Sequence, residues 1–197
     1  TVTLHKHIQQ SAPVICQMQN KIFACLLFFL AASKGCNVTK GVKKMDKDFF
    51  MEELQAYQVT LYRVAYTVLR DDDACRDALQ DAALKAWEKR FSLREPRYFR
   101  TWITRILINA CHDIQRKRRR LVCMESVPIQ ASSPPPDPEF AAALKDLPEG
   151  IRLPLVLHYA EGMSYQEIAQ TLHLSQSTIR NRLRKGKEKL RKELEET

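Results

Sequence analysis

Apolar positions along the chain recur at helical intervals. In "DDDACRDALQDAALKAWEKR", Ala78, Ala82 and Ala86, with Leu79, Ala83 and Trp87, form the inward faces of one predicted helix. Asp77, Gln80, Asp81 and Leu84 fall at i, i+3, i+4 and i+7 on its outward side. In "FSLREPRYFRTWITRILINACHDIQRKRRR", Glu95-Pro96 disfavours helix and keeps Arg94 to Arg97 in a loop. A second helix follows, with Trp102, Ile103, Ile106, Leu107, Ala110 and Ile114 inward and Asn109, Asp113, Arg116 and Arg120 outward. Nearer the C-terminus, Leu147-Pro148 ends a short helix, and Pro154 is expected in or near the first turn of the next. Gly162 suits a helix end. Ser164 and Glu167 form a capping box ahead of an inward face of Tyr165, Ile168, Ala169 and Leu172. Leu174 turns the chain, and Ser175 caps a last helix whose apolar line is Ile179, Leu183, Leu190 and Leu194.

These helices fall into two groups. Between them "LVCMESVPIQASSPPPDP" holds five of the nine prolines, the composition of a linker with polyproline II character. The expected architecture is all-α: two small helical domains, 45–120 and 139–197, on a flexible Pro-rich tether, 121–138, behind a head, 1–44. Only 5 glycines occur, and no Gly-rich phosphate loop is present.

Charge changes the picture more than composition does. The net charge is +9, yet residues 1–44 contribute six lysines and no acid, leaving 26 basic and 23 acidic groups, a net of +3, on the remainder. There the basic charge is local. One cluster is Arg116 to Arg120; the other runs from Arg180 to Lys192, diluted only by Glu188. The six cysteines form no CxxC, and Cys111-His112 and His5-Lys6-His7 are too small to be metal sites. Buried thiols in a reducing compartment are the expectation, with no cofactor, no metal and no catalytic constellation.

Two helices, a short polar turn and a second helix armed with Arg and Lys read as a helix-turn-helix. Its reading positions are Ser175, Gln176, Ser177, Thr178, Arg180 and Asn181, residue types that bond base edges. Arg182, Arg184 and Lys185 lie further along and suit phosphates. A solvated basic face or a coiled-coil end is the bland alternative. Around the outward face of the second helix lie Tyr98, Phe99, Trp102, Arg100 and Arg105, aromatics interleaved with Arg as unstacked bases require, although Phe99 and Trp102 also fit a plain core. Asp71 to Asp73 suit a helix N-terminus. Asp77 and Asp81 lie deeper, where a docking stripe for a protein competes with that explanation.

The words "DACRDALQDAALKAW", "FRTWITRILINACHDIQRKRRR" and "LPEGIRLPLVLHYAEGMSYQEIAQTLHLSQSTIRNRLRKGKEKL", in that order across a Pro-rich join, resemble the extracytoplasmic-function group of bacterial RNA polymerase sigma factors. The resemblance covers residues 46–196 and implies a division of labour. The first domain would dock on core RNA polymerase and melt the minus-10 element. Asp77, Gln80, Asp81 and Leu84 would meet the β′ clamp helices. Arg94 to Phe99 would accept a flipped-out base, and Asn109, Asp113, Arg116 and Lys117 would face promoter DNA. The second domain would read the minus-35 duplex and dock on the β flap. An anti-sigma partner, a cytoplasmic location and attachment to the membrane only through such a partner are also implied. Pro96 departs from the family's usual small polar residue, Cys75 and Arg76 stand where acids are frequent, and Gly186 replaces a frequent Ala, which is expected to weaken the last helix slightly.

The tether's length is an independent check. Eighteen residues reach at most roughly 60 Å at about 3.3 Å each, or about 17 base-pair steps, enough for two readers about one and a half turns apart. Two other readings stay open: a helix-turn-helix regulator or sigma mimic that initiates nothing, and an exported or membrane-attached protein. The latter rests on Ile22 to Ala32, eleven apolar residues, the length of a signal h-region and short of a span. Lys40 to Lys43 can be encoded by a purine-rich ribosome-binding sequence ahead of Met45. Met45 is therefore the expected native start, with residues 1–44 a leader and no stable membrane insertion.

Overall fold

The computed structural model describes residues 46–122 and 144–195. The head, most of the Pro-rich tether and any helix preceding Leu144 lie outside them. Every regular element among the described residues is helical.

The first domain is built from four helices. In α1 (Lys47–Ala56) the Asp46 carboxylate accepts the Phe49 N–H at 2.8 Å, and Phe50 and Leu54 are buried one turn apart. Tyr57 alone separates it from α2 (Gln58–Leu69), which buries Leu61, Val64, Ala65 and Val68. The left-handed Arg70 (φ 54°) ends α2, and Asp71 immediately caps α3 (Asp72–Glu88), accepting the Ala74 N–H at 2.8 Å. The small face Ala78, Ala82, Ala83 and Ala86 brings α3 close to α4 (Phe99–Val122), the longest helix described. Edge-to-face contacts of Phe50 with Trp87 (5.3 Å) and Phe99 (5.7 Å) tie α1, α3 and α4 together.

The second domain departs from the sequence expectation at its start. Its first helix, α5 (Glu149–Leu155), is entered through Pro148, and Pro154 sits in its interior near the C-terminal end rather than in the first turn. The N–H that Pro154 lacks would have bonded the Gly150 carbonyl. Gly150 is exposed, so water can take that carbonyl, and the buried Pro154 ring still packs. A single π turn, Val156–Ala160, follows and ends at Gly162 (φ 68°). The capping box of α6 (Tyr165–Leu172) is present in both directions: Ser164 Oγ accepts the Glu167 N–H and Glu167 accepts the Ser164 N–H. His173 (φ 54°) ends α6, and Ser175 Oγ accepts the Thr178 N–H at 3.1 Å to start α7 (Gln176–Glu195). Ile168 and Ile179, both 0% exposed, fix the angle between α6 and α7, each burial stabilising by about 1.5–3 kcal/mol.

The two domains are not apart. α5 packs on α2 and α6 on α4, and the buried apolar residues of both domains form one cluster.

Candidate nucleic-acid interface

The helix-turn-helix presents a face with the period of α7. Gln176, Ser177, Arg180, Asn181, Arg184 and Lys185 are exposed, while Ile179, Leu183 and Gly186 are buried beneath them. The residues named from sequence do not all share that freedom. The Ser175 hydroxyl bonds Ser177 Oγ (2.9 Å) and Thr178 Oγ1 (2.8 Å) besides capping the helix, so its work is local. Arg182 is half-buried, its guanidinium laid over Gly150, where an added Cβ would meet it at 3.5 Å. Arg184 pairs with Glu188 at 2.8 Å. Three exposed groups of base-reading type, Gln176, Arg180 and Asn181, stand at the tip, with the Ser177 hydroxyl beside them held by Ser175.

On α4, Asn109, Arg116 and Lys117 are exposed and Asp113 is partly so. Asp113 pairs with Arg116 and lies 3.8 Å from Lys85 Nζ, itself 3.7 Å from Asp81. The basic run after Gln115 is divided. Arg116, Lys117, Arg119 and Arg120 face solvent, but Arg118 turns inward and donates to Asp71 at 2.9 Å. Burial raises the Asp71 pKa, while the Ala74 N–H and Arg118 outweigh it and leave the carboxyl below its usual value.

The connection from α3 to α4 carries the exposed aromatics. Arg94 is exposed; Arg97 pairs with Glu95 at 2.6 Å and lies 4.8 Å from the centre of the Tyr98 ring, which is 47% exposed. Phe99 is different: at 1% exposure it is core, packed against Phe50, and its face is not available to a base. The phase of α4 explains this, because Phe99 starts the inward line that continues through Ile103 and Leu107. Trp102 is half-buried against Phe99 at 6.1 Å. Sequence reading assigned no role to Phe91, which is 59% exposed. Arg90 donates to the Trp87 carbonyl at 2.7 Å, and its guanidinium lies over both the Trp87 (3.8 Å) and Phe91 (4.1 Å) rings, which steadies the exposed Phe91 ring at the helix end. The available signal was spacing: Phe91 lies four residues after Trp87, past the helix end, where an inward position has nothing left to pack on.

Asp77, Gln80, Asp81 and Leu84 are all exposed on the side of α3 away from the core, Leu84 at 37%.

A family model described as Sigma-70 region 2 matches residues 54–121, and one described as Sigma-70, region 4 matches residues 138–190. The chain belongs to the sigma-70 family. Relatives place this sigma factor with the extracytoplasmic-function group. It is 28% identical over 175 residues to the ECF RNA polymerase sigma factor SigW of Bacillus subtilis, covering 79% of this chain and 94% of that protein. It is 32% identical over 154 residues to the probable RNA polymerase sigma factor RfaY of Xanthomonas campestris, covering 71% of this chain but only 38% of that protein. Among solved structures, the sigma factor RpoE crystallised with the anti-sigma factor NepR from Bartonella quintana aligns with a TM-score of 0.65 and 28% identity, covering 76% of this chain and 98% of that one. CnrH, solved with the cytosolic domain of CnrY, shares the fold at a TM-score of 0.58 and 24% identity, covering 87% of this chain and 96% of that one.

In this sigma factor the region 2 match contains α2, α3, all but the last residue of α4 and the exposed Phe91 and Tyr98, and the region 4 match contains α5, α6 and most of α7. The fold therefore presents an acidic stripe on α3, a basic and aromatic surface along the loop and α4 that meets the stripe at Lys85, and the tip of α7. Among the described residues, no cluster of His, Cys, Asp or Glu could hold a metal ion, and no helix is long and apolar enough to cross a membrane. Cys75 and Cys111 are buried, and burial pushes the Cys75 thiol up to about 12 and raises Cys111 as well.

Proposed function

We propose that this sigma factor binds core RNA polymerase and directs promoter-specific initiation, without catalysing a reaction itself. Region 2, spanning 45–120, docks on the β′ clamp helices through Asp77, Gln80, Asp81 and Leu84. It opens the minus-10 element with Arg94, Arg97, Tyr98, Trp102, Asn109, Asp113, Arg116 and Lys117. Unstacking bases costs a few kcal/mol, offset by stacking on exposed aromatics and by Arg contacts to the displaced strand. Region 4, spanning 139–197, docks on the β flap and reads the minus-35 duplex, with Gln176, Ser177, Arg180 and Asn181 at base edges and Lys185 on phosphate. The protein works in the cytoplasm, at the nucleoid. An anti-sigma partner is supported by the Bartonella relative, whose structure contains one.

The observation that carries this reading is one chain with both an exposed reading face on a capped helix-turn-helix and exposed aromatics, Phe91 and Tyr98, on the connection leading into a helix with a basic face. A regulator acting on duplex alone needs only the first. Run-off transcription with core polymerase tests it. A promoter-dependent product is expected, reduced about 10- to 100-fold in Arg180→Ala by loss of one paired base contact. Tight duplex binding with no product would instead establish the regulator or sigma mimic.

A further inference from the structure

The stripe on α3 is not bare acid. Asp73, Asp77, Gln80, Asp81 and Leu84 are exposed on its outward side, and a cation stands along each edge. On one edge, Lys85 Nζ lies 3.7 Å from Asp81 and 3.8 Å from Asp113 of α4. On the other, Arg76 donates to Asp73 at 2.8 Å and, with its second terminal nitrogen, to Asp72. Among the described residues, Asp77 is the one carboxylate of the stripe without an ion pair. Arg76 is also one of the positions where this chain departs from the pattern it resembles, in which acids are frequent.

The two cations are held differently. Lys85 has two acids at long range, so it can lean to Asp113 when a partner takes Asp81. Arg76 has no such exit. Asp72 is only 6% exposed, and its other oxygen accepts the Tyr62 hydroxyl from α2. A buried carboxylate left without its cation is costly, so Arg76 stays with Asp72. The Arg76 side chain is nonetheless 33% exposed, one turn before Gln80, so whatever docks on α3 meets its charge. Arg76 therefore offsets acid at the N-terminal end of the stripe and fixes a positive group beside it.

We propose that Arg76 is a specificity-determining residue of the docking surface: it weakens docking by its charge and selects a basic partner whose cations reach Asp77 and Asp81 but stop short of the first turn of α3. This rests on the sigma reading above, in which that partner is the β′ clamp of core polymerase. Specificity of this kind needs a repulsive element as well as an attractive one, and Arg76 supplies it. The partner's cations are drawn to Asp77 and Asp81 and opposed at Arg76. All of these groups are exposed enough for salt to screen them, so the opposition is largest in low salt. The sigma factor then holds core polymerase less tightly than the acids of α3 alone would.

The test titrates the full chain, labelled with a dye at its N-terminal amine, against core polymerase in low and in high salt. Arg76→Gln removes the charge but keeps an N–H donor for Asp72. It should tighten binding about threefold in low salt, with the gain fading in high salt. Arg76→Lys restores the charge and should lose that gain. Asp73→Lys alters a side chain that is 76% exposed and disturbs no buried group. It adds a second cation at the same end and should weaken binding about tenfold in low salt, so the proposal stays testable if Arg76→Gln unfolds. Circular dichroism checks that each variant is folded. Unchanged or weaker binding by a folded Arg76→Gln chain, or no loss in Asp73→Lys, overturns the role of Arg76 and leaves docking standing. A native chain that binds core polymerase in neither salt sinks the sigma reading and this proposal with it.

Discussion

Gly186 is the residue where helix propensity and packing give opposite answers. As a glycine inside α7 it costs about 1 kcal/mol relative to Ala in an isolated helix. In the structure, a Cβ there would stand 2.6 Å from Leu155 Cδ1 and 2.9 Å from Ile151 Cγ2, because α5 crosses α7 at this point. The sequence expectation, a slightly weakened last helix, misses the close approach that the glycine permits. Gly186→Ala should therefore lower stability by about 1–3 kcal/mol, the usual cost of overpacking, even after the propensity gain. Urea unfolding of the full chain followed by circular dichroism checks this, and an unchanged or raised midpoint would contradict the packing argument. His173 is the opposite case. It holds φ 54° with an exposed side chain, while its backbone N–H closes α6 on the Ala169 carbonyl, a bond that glycine keeps. His173→Gly should raise stability by roughly 0.5–1 kcal/mol, because removing the Cβ penalty slightly exceeds the entropy that Gly adds to the unfolded chain. A fall in the thermal midpoint would show that the imidazole is doing structural work.

At the scale of elements, the helices and caps were legible because their signals are local. The Ser164–Glu167 box, the Asp71 and Ser175 caps and the inward lines of α3, α4, α6 and α7 each depend on residues three or four apart. What failed was assignment across elements. The run from Arg116 to Arg120 reads as one phosphate-binding cluster, yet Arg118 is spent on the cap of α3, 47 residues earlier, at 2.9 Å. The pairing of Arg118 has no signature within a short window. Phe99 reads equally as a base-stacking ring or as core, and its phase with Ile103 and Leu107 decides for the core. Asp71→Asn separates the two roles at that cap. Asparagine still accepts the Ala74 N–H, so the cap survives while the Arg118 pair weakens, at a cost of roughly 1–2 kcal/mol. The sign with pH follows from the lowered Asp71 pKa. The stabilisation is complete above the ordinary value of 3.8 and is lost as pH falls below it, so the variant's loss should shrink in acid. The freed Arg118 should also steepen the salt dependence of duplex binding by about one released counterion. Unfolding midpoints at pH 7 and pH 3 and a salt titration of DNA affinity measure the two effects independently.

At the scale of the whole molecule, sequence showed two helical domains but not that they meet. Arg63, Arg70 and Arg152 lie outside the apolar lines, and their partners are mostly backbone carbonyls, which every residue carries and no pattern marks. Glu149 reads as a first-turn acid of α5, and only the fold brings His112 and Gln115 to it. That convergence makes the contact between the domains depend on acid in a direction the structure fixes. The bond with His112, and after it the bond with Gln115, hold the Glu149 carboxyl below its usual 4.5, against the opposing effect of burial. Separating the domains returns Glu149 to solvent and to that ordinary value. The contribution of Glu149 to the contact is therefore complete above about pH 4.5 and falls away as pH drops through the lowered value. Dyes placed one in each region should report a compact chain at pH 7 and a growing open fraction below pH 4.5. Glu149→Gln cannot ionise, so it should be partly open at pH 7 and lose most of that pH response. Asp71 protonates in the same range but lies within region 2, where it acts on the fold rather than on the contact between domains. Circular dichroism recorded alongside separates them: opening with the helical signal intact belongs to Glu149, whereas opening only as helix is lost would assign the acid response to Asp71.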